Sequence, residues 1–303
     1  MNYSIVFSII IPHRNSVNTL PRLLNSIPDR NDLEIIVIDN SPMPLKREQI
    51  VTNRTIKLYY SEPNKGAGGA RNVGVESAKG KWFIFADADD YFSENAFDLF
   101  FSKADSDAEI IYTCMGGVYS DTGEPSNRGD GFTKKVRGYL NGSLSEIDLR
   151  IGFPSPCCKM VSSALVERHS IRYDEVVASN DVYFSLLSGY YAKKIEAFDS
   201  ITYIATVSRG SLTRRRDYPV VHSRFLVALK RNKFLKEHNM SDKQGSVMVY
   251  LYQSLPFGPI VVCKMLLEIL RWKQNIFIGW RRWFTSFRSL RDLNKAEAKY
   301  IIK

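Results

Sequence analysis

The residues best suited to chemistry are Asp87-Ala88-Asp89-Asp90, which follow directly on the apolar run Trp82-Phe83-Ile84-Phe85-Ala86. Carboxylates crowded at the end of a buried strand repel one another and cost stability. A divalent cation relieves that cost, because hard oxygen ligands at i and i+2 suit Mg²⁺ or Mn²⁺, and an ion held there binds a diphosphate. The alternative is a strand running into a helix N-terminus, with Asp89 or Asp90 capping the turn that Ser93-Glu94 continues. Two smaller polar clusters precede this one, Pro12-His13-Arg14-Asn15 and Asp39-Asn40-Ser41, each closing an apolar run. The segment from Asn64 to Gly74 combines glycines, which let a backbone come close to a ligand, with Arg71, a permanently charged donor suited to a diphosphate. It is no Walker loop, since no Gly-Lys-Ser/Thr follows. Each cluster has a plain structural reading beside the chemical one: an Asx-turn at Asp39, a Gly-rich loop with a helix start at 64–74, a structural ring at His13.

These side chains need a scaffold that presents them together. Strand-like runs at 5–11, 33–38, 56–60 and 82–85 alternate with helical spacing at 19–27 (Leu20, Leu23, Leu24, Ile27) and 68–78. The near-continuous apolarity of the first run suits a strand covered on both faces. Strands alternating with helices predict an α/β sheet with right-handed crossovers, whose ligands sit at the carboxyl ends of the strands. The clusters at 12–15, 39–41 and 87–90 all fall at such ends. From 95 to 199 the pattern is less regular, with a strand at 110–115, a polar Gly-rich loop at 122–135, and helices at 163–168 and 180–191. Beyond about residue 215 the chain reads as helical and basic, and no repeat or low-complexity tract occurs.

At 303 residues and 44% hydrophobic content, the chain suffices for one large core with a smaller appendage. Its four cysteines (Cys114, Cys157, Cys158, Cys263) lack Cys-x-x-Cys spacing, and reduced cytosolic thiols are expected. Met1-Asn2-Tyr3-Ser4 leads straight into a strand without a basic stretch, so no signal peptide is expected. The most apolar stretch, 247–270, is broken by Pro256, Gly258, Pro259, Lys264 and Glu268, which argues against a spanning helix. Charge is uneven: residues 205–303 carry 20 Lys/Arg against 6 Asp/Glu, whereas residues 1–204 carry 22 against 26. A mildly acidic body with a basic tail suggests that the tail meets something anionic.

Phe7-Ser8-Ile9-Ile10-Ile11-Pro12-His13-Arg14-Asn15, Glu34 to Ser41, Asn64 to Gly74 and Asp87 to Asp90 together carry a family likeness. In their order and spacing, the first hundred residues resemble the family 2 glycosyltransferases of GT-A fold, which use nucleotide-diphospho-sugars. A weaker match continues through Pro156 to Lys159, Asn180-Asp181 and 208–213. The resemblance implies a Rossmann-like mixed α/β sheet flanked by helices over 1–214, with nucleotide-sugar binding in 1–100 and the acceptor side in 101–214. The resemblance does not reach residues 215–303, which are expected from their composition to form a basic helical extension. It further implies that Pro12, His13 and Arg14 line the base and ribose pocket, that Asp39 accepts from the uracil ring or ribose, and that Asn40 stands where a second acid is usual. Asn64, Gly66 and Arg71 then approach the diphosphate, with Asp87 and Ala88 on the nucleotide side. Asp89 is the main contact of a Mn²⁺ or Mg²⁺ ion and Asp87 a second one. Asp90 faces the acceptor or supports the metal site from behind, and Lys159 lies on the acceptor side. By the same resemblance Asp181 is the expected base for the acceptor hydroxyl, with Glu175 in reserve and an N-cap role as its structural alternative. Arg209 and Ser211 belong to a late loop over the diphosphate.

From 251 to 303, aromatics (Trp272, Phe277, Trp280, Trp283, Phe284, Phe287) interleave with Arg and Lys. Cationic, Trp-rich amphipathic helices lie among lipid headgroups, where polyprenyl-linked acceptors are found. The alternative is an appendage packed on the catalytic part or on a second subunit; nucleic acid is not expected, because no binding motif accompanies the charge. The expected activity is inverting transfer from a UDP-linked donor to a saccharide or lipid-linked saccharide, at the inner face of the plasma membrane. The rival readings are a sugar-phosphate nucleotidyltransferase, which would carry a Gly-rich basic signature after the first strand, and a non-catalytic nucleotide-sugar-binding subunit.

Overall fold

The apolar run at the N-terminus forms strand β1 (Phe7–His13), buried at every position. It pairs in parallel with β2 (Leu33–Asp39) on one side and β4 (Trp82–Phe85) on the other, while β3 (Ile56–Tyr60) extends the sheet beyond β2. Continuous β-branched sequence is what a strand covered on both faces requires. The computed structural model describes residues 4–207 and 215–278, which fall in two compact units, Met1–Ser211 and Leu212–Lys303. In the first unit, α1 (Leu20–Asn25) buries Leu20, Leu23 and Leu24, the periodic positions of the sequence. Helix α2 (Gly66–Ser77) packs close on the sheet, because a Cβ on Gly74 would lie 2.4 Å from the Ile10 side chain.

Past β4 the sheet becomes mixed. Strand β5 (Tyr91–Phe92) forms one edge, and β6 (Ile110–Tyr119), β7 (Lys159–Ser162) and β8 (Ile195–Val207) complete the order β3-β2-β1-β4-β7-β6-β8-β5. β7 runs antiparallel to both β4 and β6, while β6 and β8 are parallel. Helices α3 (Ala96–Ser102), α4 (Asp130–Leu140), α5 (Glu146–Gly152), α6 (Ser163–Arg168) and α7 (Asn180–Tyr191) flank it.

One expectation fails here. The run 122–135 is not a loop throughout, since it holds a 3₁₀ turn at Asn127–Gly129 and the start of α4. Ser126 caps that turn by accepting the Arg128 N–H. Phe132, Val136 and Tyr139, at i, i+4 and i+7, give α4 its apolar face against the core. Interspersed glycines and lysines hide that period in the sequence.

The second unit is helical. Asp217 caps α8 (Tyr218–Glu237) by accepting the Val220 N–H. Phe225 and Leu229 of α8 form a small core with Val247, with Leu251 of α9 (Met248–Ser254), and with Met265 and Ile269 of α10 (Pro259–Arg271). Among the described residues, no helix is long and apolar enough to cross a membrane.

Candidate active site

The three polar clusters reach one edge of the sheet. His13 stands opposite Asp39 in the β1–β2 register, and Asp87 follows two residues after β4, the other neighbour of β1.

Asp39 is saturated with donors. Its Oδ1 accepts His13 Nδ1 at 2.9 Å, Ser41 Oγ at 2.6 Å and the Ser41 N–H at 3.2 Å, and Oδ2 accepts the Leu45 N–H at 2.7 Å. The Ser16 N–H donates to His13 Nε2 at 3.1 Å, which places the ring proton on Nδ1. Burial works to raise the Asp39 carboxyl, but the bonds from Ser41, His13 and Leu45 outweigh it and hold the group below its ordinary value. His13 and Asp39 therefore shape the strand ends, and the Asx-turn geometry is present. The corner still offers unused donors, since Asn40 Nδ2 and Ser61 Oγ are buried without a partner among the described residues. A buried donor left unpaired costs about 1–3 kcal/mol, a cost that a ligand acceptor would remove. A lone Ser after β3 carries no signal, so Ser61 escapes a reading of the sequence. Pro12 is buried within β1, while exposed Arg14 donates to the Pro63 carbonyl at 2.9 Å and so ties the β1 loop to the turn Pro63–Lys65 that carries exposed Asn64.

The acid turn is held from behind. Tyr203 of β8 accepts the Asp87 N–H at 2.8 Å and donates to Asp90 Oδ2 at 2.8 Å, and the Thr206 N–H donates to Asp90 Oδ1 at 2.7 Å. Arg22 of α1 donates to the Asp89 carbonyl and, at 2.8 Å, to Thr206 Oγ1. Asp90 is thus buried and tied to β8, and does not face an acceptor; burial, then Asp87 and Asp89, push its carboxyl well above the usual range. Ala88 is buried beside it. Asp89 differs, being exposed and, among the described residues, receiving no hydrogen bond from another residue's donor on its carboxylate. Local desolvation and the Asp87 charge raise it, against Arg22 and Arg128. Arg22, Tyr203 and Thr206 were not legible beforehand, because they lie 67, 113 and 116 positions from the acids they fix.

Arg71 is 5% exposed. It donates to Asp87 Oδ1 at 2.5 Å and to Asn180 Oδ1 at 2.7 Å, and its guanidinium lies 5.4 Å from the Tyr173 ring. Burial opposes its charge, yet Asp87 raises it above its ordinary value. Expected to reach a diphosphate, Arg71 instead bridges the acid turn to the first turn of α7, and only its Nε is without a partner. The glycines are likewise used internally: a Cβ on Gly68 would lie 2.0 Å from the Asp174 carbonyl, and Gly66 takes φ +60° beside the Val176 carbonyl. The close approach is between two parts of the chain itself.

Asp181 lies in the first turn of α7, where Ser179 holds the cap position without a side-chain bond. Burial raises the Asp181 carboxyl, with Asp87 adding to it, against Arg71 and Lys159. A raised carboxylate is better matched to taking a proton near neutral pH. Exposed Glu175 pairs at 3.9 Å with Lys65. Lys159 is fully buried rather than facing an acceptor. Its Nζ donates to Ser185 Oγ at 3.1 Å, one helical turn beyond Asp181, and lies 5.4 Å from the Phe153 ring; burial pulls it down to about 8. Arg209 and Ser211 lie outside the described residues.

Among the described residues, no three His, Cys, Asp or Glu are arranged to hold a metal. Asp87 and under-bonded Asp89 fit a smaller demand, that of a cation taking its other oxygens from a diphosphate and water.

The sequence profile described as glycosyl transferase family 2 matches residues 8–170, more than half of the chain. The putative glycosyltransferase EpsH of Bacillus subtilis (strain 168) is 22% identical over 263 residues, 82% of this chain and 75% of EpsH. The poly(ribitol-phosphate) beta-N-acetylglucosaminyltransferase TarS of Staphylococcus aureus is 25% identical over 67% of this chain, which spans 36% of that relative. The crystal structure of TarS 1–349 in complex with UDP-GlcNAc superposes with a TM-score of 0.59 at 22% identity, covering 84% of this chain and 74% of that one. WfgD of Escherichia coli, a UDP-Glc:alpha-D-GlcNAc-diphosphoundecaprenol beta-1,3-glucosyltransferase, is 30% identical over 30% of this chain and 38% of WfgD. The fold, a mixed sheet flanked by helices of GT-A type, is shared with TarS.

Proposed function

The chain belongs to glycosyl transferase family 2, and from that premise we propose that it moves a sugar from a UDP-linked donor to a saccharide or lipid-linked saccharide acceptor in surface-polysaccharide synthesis. The single observation that carries this reading is Asp89: an exposed carboxylate without a donor from another described residue, raised by desolvation and by its neighbour Asp87, at the carboxyl end of the sheet. A charge left in that state is stabilised by a cation. The UDP-GlcNAc held by TarS and the diphosphoundecaprenol-linked acceptor named for WfgD support the donor and acceptor classes.

The chemistry is assigned to residues 1–214, with 215–303 as a basic helical extension. The unpaired donors Asn40 Nδ2 and Ser61 Oγ meet acceptor atoms of the base or ribose, in a corner whose shape His13 and Asp39 keep. Asp87 and Asp89 hold a Mn²⁺ or Mg²⁺ ion, which when bound supplies Lewis-acid stabilisation of the charge growing on the departing diphosphate. Arg71 keeps Asp87 and Asn180 in fixed relation, and so sets the acid turn against the helix that carries Asp181. Asp181 takes the proton of the acceptor hydroxyl as its oxygen attacks the anomeric carbon. The bond from that carbon to the diphosphate oxygen breaks on the opposite side, and configuration inverts. The setting is the inner face of the plasma membrane, with peripheral contact through 251–303.

A thermal-shift panel of UDP-, GDP- and dTDP-sugars, each with and without Mn²⁺, tests this directly. Stabilisation by a UDP-sugar that grows with Mn²⁺ is expected. No shift with any donor would overturn the reading.

A further inference from the structure

Helix α10 carries an apolar face that its own unit does not cover. Its inner side, Met265 and Ile269, packs against α8 and α9. On the opposite side Ile260, Leu267 and Leu270 are 71, 55 and 70% exposed, with exposed Cys263 between them. These positions, spaced i, i+3, i+7 and i+10, share one helical face. Past the helix, Phe277 is 73% exposed. Lys264, Arg271 and Lys273 are exposed along the border, and Glu268, the one acid of the helix, is engaged with His222 at 3.3 Å. Residues 215–278 hold 11 Lys/Arg against 4 Asp/Glu.

We propose that this face docks on an anionic lipid bilayer, with α10 lying in the headgroup plane. The claim rests on the reading above that the enzyme works at a membrane, and it names the residues that make the contact. From Ile260 to Leu270 the strip is about 15 Å long at 1.5 Å per residue, half of what spanning needs and suited to a helix that lies flat. The apolar side chains enter the acyl boundary while Lys264, Arg271 and Lys273 meet lipid phosphates. The same border disfavours a second copy of the chain on this face, since a twofold contact would set rows of Lys and Arg near each other in a drier medium. It disfavours nucleic acid too, because the centre of the face offers phosphates no donor.

The experiment is co-sedimentation of the full chain with phosphatidylcholine vesicles, with and without phosphatidylglycerol. The wild type is expected to bind the anionic vesicles. Ile260→Ser/Leu267→Ser/Leu270→Ser, all at exposed positions, is expected to bind at least about tenfold more weakly with an unchanged melting temperature. Lys264→Gln and Arg271→Gln each lower binding about fivefold, on anionic vesicles only. The proposal is overturned if the triple variant binds like wild type, if wild type binds both vesicle types equally, or if light scattering shows a wild-type dimer that the triple variant abolishes. Donor binding reads out separately. Loss of UDP-sugar binding with intact vesicle dependence removes only the donor reading, and the reverse result removes only the docking face.

Discussion

Asp39 and the acid turn Asp87–Asp90 follow strands on either side of β1 in the same sheet, and they are built in opposite ways. At the end of β2, Asp39 collects four donors and is held below its ordinary value. Past the end of β4, Asp89 has no donor from another residue among those described and stands above its ordinary value, as does Asp90 behind it. A carboxylate that is saturated within the fold stabilises the fold. One left crowded and under-bonded weakens the free protein and gains most when a cation or ligand arrives. On the function proposed above, the contrast separates a corner that shapes the site from a turn left to bind a cation.

The largest expected effect bears on Asp181, next to the Asn180 that Arg71 ties to the acid turn. Asp181→Asn should lower kcat by about 10²–10⁴-fold with UDP-sugar affinity nearly unchanged, measured in steady-state transfer assays. In the wild type, kcat rises with pH through the raised Asp181 value, because only the deprotonated carboxylate accepts the acceptor proton. Near-normal turnover in the variant would remove Asp181 as the base.

Lys159 comes next. Burial lowers it from 10.5 to about 8, so the folded state gives up a proton that the unfolded chain keeps between those values. Wild-type stability should then rise with pH across that window relative to Lys159→Met. At pH 7 the variant should be the more stable by roughly 3 kcal/mol, as read by denaturant titration.

The comparison itself is sharpened by a matched pair. Asp39→Asn should destabilise by about 1–3 kcal/mol. Since the folded Asp39 value is depressed, the wild-type advantage is present above the ordinary carboxylate range and disappears as pH falls through the folded value. Asp89→Asn should do the reverse in metal-free buffer, stabilising by at most about 1 kcal/mol because an exposed charge is screened. There the raised folded value makes the wild type lose ground as pH rises through it. Thermal melts of both variants across pH give the two slopes, and slopes of the same sign would break the contrast.

The strand-end positions were readable because each cluster closes an apolar run, and apolar runs locate strands without knowledge of the partners. Parallel pairing of β1 to β4 followed from alternation with helices. The rest depended on contacts that the sequence does not order. Tyr203 and Thr206 reach Asp90 from β8, a half-buried strand with Glu196 and Asp199 in it and no clear period. By type the glycines of α2 suit the close approach of a ligand, whereas Gly68 makes room for the Asp174 carbonyl and Gly74 for the Ile10 side chain. Both uses demand the same residue, so composition does not separate them. The resemblance puts Lys159 on the acceptor side, whereas the topology buries it, since β7 lies between β4 and β6.

The most direct measurement is titration calorimetry of UDP-sugar into wild type and Asp89→Asn, each with Mn²⁺ and with chelator. Binding that tightens with Mn²⁺ in the wild type and loses that tightening in Asp89→Asn is the expected result. Equal affinity with and without the metal in the wild type, or a full Mn²⁺ effect in Asp89→Asn, would contradict the assignment of Asp87 and Asp89 as the seat of the cation.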